Sequence, residues 1–133
     1  MSTQLEKNDV LLNLLVKMAE ANVTMSVTLN VNGIVITGNL VSQKRYYEEV
    51  ISDLRKPFNS TFKEEASGIL DSLSMLGDLP NGSSSEEDES AGYEFVHLSG
   101  ARYFIGDSSI PVGGVPWRGK MAAIDGFTLG RMS

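Results

Sequence analysis

Cysteine is absent from the sequence. Disulfides, thiolate metal sites and cysteine nucleophiles are therefore excluded, and the absence is compatible with a reducing cytoplasm. Histidine occurs once, at His97, so no histidine pair exists to build a metal site. No apolar run approaches the ~20 residues that a membrane-spanning helix needs. The first residues, MSTQLEKND, lack the basic-then-apolar layout of a signal peptide. A soluble protein of the cytoplasm is the expectation. A basic excess is missing too, because the formal net charge is −6. Asp78, Glu86, Glu87, Asp88 and Glu89 account for most of that imbalance. With those five of the seventeen acids set aside, twelve acids face eleven bases. Duplex and membrane-surface binders usually carry a strong basic excess, so neither class fits.

Strand periodicity is strongest over VTMSVTLNVNGIVITGNLV, Val23 to Val41. Val23, Met25, Val27, Leu29 and Val31 alternate with Thr24, Ser26, Thr28 and Asn30, the period of a strand with one buried face. Asn32-Gly33 suits a two-residue type I′ turn, where both residues need φ > 0. That turn sets Val31 opposite Ile34, Leu29 opposite Ile36, Val27 opposite Gly38 and Met25 opposite Leu40. A slip of one residue would turn every apolar side chain outward. Gly38, in mid-strand, predicts a bend or a close backbone approach.

Before this hairpin, Asn8 or Asp9 can cap a helix running to about Ala21. Its apolar residues cover most of the circumference, leaving only Asn13, Lys17 and Glu20 as a polar stripe. Such a helix needs cover on more than one side, from the sheet and later helices or from another subunit. After the hairpin, Gln43 to Leu54 and Thr61 to Gly77 carry helical apolar spacing, with Pro57 between them and a T-x-x-E capping box at Thr61. Residues 78–92 (DLPNGSSSEEDESAG) are dominated by Ser, Gly and acid, and read as a mobile loop inside a single domain, 1–133.

Two further hairpins are expected. Tyr93 to Gly106 would turn at Ser99-Gly100, pairing Val96 with Tyr103 and Leu98 with Ala101. Trp117 to Met132 would turn at Asp125-Gly126, pairing Ile124 with Phe127, Ala122 with Leu129 and Lys120 with Arg131. The last pair sets like charges opposite each other, which is unfavourable. Between them SSIPVGGVP reads as a loop. The fold class that results is α+β. A small bent antiparallel sheet, or an Sm- or SH3-like barrel, is built of three hairpins with an N-terminal helix and a two-helix insert.

Catalytic chemistry finds no foothold. His97 alternates with Tyr93 and Phe95 as a strand residue, no serine sits in a nucleophile elbow, and the glycines of PVGGVP lack the lysine of a phosphate loop. No enzyme, metal or cofactor is expected. Binding is better supported. Arg102, Arg118, Lys120 and Arg131 gather in the last third with Trp117 and Phe127, an aromatic and cationic combination typical of interface cores. Such a patch could receive an acidic segment, Glu86, Glu87, Asp88 and Glu89 of a neighbouring copy, and the contact would then weaken with salt. The alternative assigns the aromatics to the core and the cations to a solvated face.

Three blocks, LNVNGIVITGNLVS (Leu29 to Ser42), FVHLSGARYFIGD (Phe95 to Asp107) and WRGKMAAIDGFTLG (Trp117 to Gly130), resemble the gas vesicle accessory protein U family. With the N-terminal helix the resemblance spans nearly the whole chain, and the last block is the most specific. It implies a non-enzymatic accessory protein that clusters gas vesicles in the cytoplasm through self-association, as a homo-oligomer or weak assembly, and through contact with the shell protein. Members of that family continue past the D-G-F motif into a polar Ser/Lys-rich tail, whereas this sequence stops at Ser133, so the resemblance implies altered clustering if that tail contributes. The reading from a different class is a small Sm-like module that binds RNA or a peptide, and net acidity weighs against RNA.

Overall fold

The computed structural model describes residues 10–55, 63–81 and 92–132. Helix α1 (Val10–Glu20) leads into strands β1 (Met25–Val31) and β2 (Ile34–Val41). Helices α2 (Gln43–Arg55) and α3 (Lys63–Leu76) follow, then β3 (Phe95–Ile105), β4 (Ser108–Lys120), a single 3-10 turn (Met121–Ala123) and β5 (Gly126–Leu129). The five strands form one antiparallel sheet in the order β4-β3-β2-β1-β5. Its two ends are edge strands, so the α+β sheet is open, and the barrel form is not the one adopted.

The first hairpin has the expected register, from Met25 opposite Leu40 to Val31 opposite Ile34. Asn32 (φ 53°) and Gly33 (φ 83°) both take the left-handed backbone that the tight turn requires. Gly38 is a site of close approach. A Cβ there would stand 3.1 Å from the Ala101 Cα, and the β2–β3 register shifts at this point. Ser42 caps helix α2 from just outside it, its Oγ accepting the Arg45 N–H at 3.1 Å, while Glu20 Oε2 accepts the Gln43 N–H at 2.8 Å. The proposed caps at Asn8, Asp9 and Thr61, and Pro57, lie outside the described residues.

The other two hairpins differ from expectation. Strand β3 runs straight through Ser99-Gly100 and turns at Gly106-Asp107 instead. Val96 therefore pairs with Gly119, Leu98 with Trp117, Ala101 with Val115 and Tyr103 with Ile110. Gly100 (φ 60°) makes an irregularity within the strand rather than a turn. Gly114 (φ 75°) crosses it so closely that a Cβ on Gly114 would fall 2.7 Å from the Gly100 backbone. The stretch read as a loop, SSIPVGGVP, is part of β4. Its prolines are tolerated because β4 is an edge strand, where a missing N–H removes no ladder bond.

Trp117 to Met132 forms no hairpin. After the 3-10 turn the chain crosses to the far edge, where β5 pairs with β1, Leu129 opposite Val27 and Phe127 opposite Leu29. Lys120 pairs with Phe95, so the like-charge pairing with Arg131 never arises.

The main core lies on one face of the sheet. Leu12, Leu15, Val16 and Ala19 of α1 pack with Val27, Leu29, Ile36, Leu40, Val96, Leu98, Ala101 and Met121. Full burial of side chains of this size contributes roughly 1.5–3 kcal/mol each. Helix α2 packs on the opposite face through β3 and β4, and α3 packs on α2 about the small cluster of Ile51, Leu70 and Leu73. Among the described residues α1 is covered on one side only. Val10, Leu11, Leu14 and Met18 stay exposed.

Candidate interaction surfaces

Strand alternation divides the patch residues that lie in strands between the two faces, and Arg131 lies just beyond β5. Trp117 stands opposite Leu98 and Phe127 opposite Leu29, and both aromatics pack against the main core. The W-R-G spacing has a local reason. The Trp117 indole folds over Gly119, where a Cβ would come within 2.3 Å of the ring. Arg102 and Arg118 stand opposite Thr37 and His97 on the face that carries α2.

On that second face the polar side chains are tied to each other. Thr28 and Thr37 hydroxyls lie 3.1 Å apart on neighbouring strands. Residues 130–132 cross them, because the Gly130 carbonyl accepts from Thr28 Oγ1 at 2.8 Å and the Met132 N–H donates to Thr37 Oγ1 at 3.1 Å. Arg131 reaches the Gly100 carbonyl at 3.2 Å and Asn39 Oδ1 at 3.4 Å. Arg102 donates to Ser109 Oγ, with its Nε buried and unpartnered among the described residues. Ser99 Oγ donates to Glu49 Oε1 of α2 at 2.6 Å. Lys120 is exposed at the end of β4.

Arg118 is held differently from the other cations. Its Cζ lies 3.6 Å from the centroid of the Phe95 ring, and the Tyr47 ring of α2 is 5.8 Å away. Its Nε donates to His97 Nε2 at 3.1 Å. His97 is 1% exposed, its ring 5.0 Å from that of Tyr46. Burial first, and then the Arg118 cation, push the His97 pKa down to about 3, so the imidazole is neutral and free to accept. With Nε2 accepting, the ring proton sits on Nδ1, which is buried with no partner among the described residues. A buried imidazole spent on an arginine cannot reach a substrate. Among the described residues no group of three or more His, Asp or Glu converges on a metal-sized site.

The Phe95–Arg118 stack was not legible in the sequence. Phe95 and His97 alternate on one face, but only the β3–β4 register brings Arg118 between them.

Two apolar surfaces lie on opposite sides of the sheet. On α1, Val10 (66%), Leu11 (52%) and Leu14 (53%) are exposed, with Met18 one turn on. Beyond α2, the solvent side of α3 and the residues after it expose Ile69 (64%), Met75 (70%), Leu76 and Leu79. Residues 78–81 are partly packed. The Asn81 amide is buried and bonds both backbone groups of Phe95, at 2.9 Å each. Glu86, Glu87, Asp88 and Glu89 lie outside the described residues. No helix among the described residues is long and apolar enough to cross a membrane.

A family model described as gas vesicle protein GvpU-like matches residues 9–132. No curated protein and no solved structure matches the chain.

Proposed function

The chain belongs to the GvpU-like family of gas vesicle proteins, and from that premise we propose that it is a non-enzymatic accessory protein that contacts the vesicle shell in the cytoplasm and links vesicles into clusters. The observation that supports this reading is the pair of apolar surfaces on opposite sides of the sheet, at α1 and at α3. A particle with one sticky side coats a surface, whereas one with two can bridge. Each patch is a few side chains wide, far below the ~800 Å² per partner of a stable interface. Individual contacts are therefore weak, and bridging relies on many copies acting together on one shell. The Sm-like RNA reading is the less favoured one, because the net charge is −6 and Arg102 and Arg131 are engaged within the fold.

Flotation with purified gas vesicles tests this. Leu14→Glu and Met75→Glu each remove one surface without touching the core. Each single variant should float with vesicles but fail to cluster them, and the double variant should stay in solution. Clustering that survives in both single variants would sink the proposal, as would binding of single-stranded RNA in preference to vesicles.

A further inference from the structure

We propose that Arg118, stacked on Phe95 and bonded through Nε to His97, is a preformed receptor for carboxylates, and that its ligand is the acidic run Glu86 to Glu89 of a second copy of this chain. The receptor stands on geometry. Stacking at 3.6 Å fixes the guanidinium plane, and the Nε bond to a buried acceptor fixes its rotation. The two Nη groups then form the fork that carboxylates accept bidentately. The rotamer freedom an arginine ordinarily loses on binding is already spent, which favours affinity. His97 suits this task better than a carboxylate would. A neutral acceptor orients the cation without cancelling its charge.

Arg118 is exposed, and no carboxylate among the described residues forms an ion pair with it. The Glu49 carboxylate of α2 accepts from Ser99 through Oε1, and its Oε2 is buried with no hydrogen-bond partner among the described residues. The cation is thus aimed but unneutralised. Lys120 stands two residues along the same edge strand and adds positive charge. The ligand is named by charge complementarity. Glu86, Glu87, Asp88 and Glu89 are four consecutive acids in a chain whose remaining charges nearly balance. Each copy carries one receptor and one acidic run, so copies join reciprocally as pairs or head to tail as chains. This choice of ligand rests on the clustering role proposed above, whereas the receptor does not.

Two arms test it on the full-length chain. In the first, a fluorescent peptide GSSSEEDES is titrated into the E86Q/E87Q/D88N/E89Q variant, whose own run cannot compete. Saturable binding is expected, lost with the neutral peptide GSSSQQNQS and weakened by added salt. Arg118→Lys in the same background keeps the charge but not the fork, and should bind at least about tenfold more weakly. Circular dichroism confirms that the variant folds, and Phe95→Leu, which removes the platform but keeps the arginine, should weaken binding in the same direction. Equal binding by Arg118→Lys and its parent overturns the receptor.

In the second arm, Arg118→Lys and the acid-neutralised chain are sedimented alone and mixed. Each alone should be monomeric, and the mixture should form a one-to-one complex, because one chain supplies the fork and the other the acids. A mixture that stays monomeric overturns the second copy as the source. Neither variant touches the apolar surfaces, so vesicle flotation reads the functional proposal separately.

Discussion

Asp125 accepts the backbone N–H of Asn32 through Oδ2 at 2.8 Å, across 93 positions of sequence. The Asp125 N–H in turn donates to the Asn30 carbonyl at 2.8 Å. The Asp-Gly pair therefore clamps the first hairpin instead of folding back on itself, and it is this clamp that delivers β5 to β1.

Asp125→Ala should cost about 0.5–1.5 kcal/mol, the net worth of a hydrogen bond whose exposed donor turns to water when its partner is removed. Chemical denaturation measures the loss, and amide exchange should place it at residues 126–129 rather than across the sheet. Uniform protection in the variant would show that β5 holds without the clamp.

Gly119→Ala should displace the Trp117 indole, since the new methyl would fall inside the ring's present position. Overpacking of this kind typically costs about 1–3 kcal/mol. The tryptophan is the only one in the chain, so its emission reports the shift directly. An unchanged spectrum and melting point would mean that the ring does not rest on residue 119.

Stability should fall as the solution is acidified from neutrality. The folded state keeps His97 neutral, with its pKa held down to about 3. In the unfolded chain the imidazole titrates near its ordinary value of about 6.5. Below that value only the unfolded state binds the proton, so the stabilisation present above pH 6.5 is lost at up to ~1.4 kcal/mol per pH unit as the pH falls toward 3. Denaturant midpoints between pH 7 and pH 5 read the slope before most carboxylates titrate. His97→Gln should flatten it, and an equal slope in that variant would assign the effect to other groups.

Asn81→Ala and neutralisation of Glu86 to Glu89 should behave oppositely. The first removes both bonds that bracket the Phe95 backbone and leaves two part-buried peptide groups without these partners, at about 0.5–1.5 kcal/mol each. The second should leave the melting temperature nearly unchanged. A large loss on neutralising the acids would show that this run packs against its own chain.

The first hairpin was readable from the sequence to the residue, because alternation of period two and a turn that demands positive φ are local properties of the chain. The helices were readable for the same reason, through the apolar spacing of Leu12, Leu15, Val16 and Ala19 and of Ile51 and Leu70. What lay beyond local pattern was the choice of strand partner. Ser99-Gly100 and Asp125-Gly126 are both competent turns in isolation, yet neither turns the chain. Pairing Leu98 with Trp117 brings a large side chain onto the core face, and Asp125 gains two bonds at the Asn32 turn that a hairpin of its own would forgo. That competition between distant partners also decided the surface. It sent Trp117 and Phe127 to the core and Arg118 onto Phe95, because strand register alone determines which face a side chain takes.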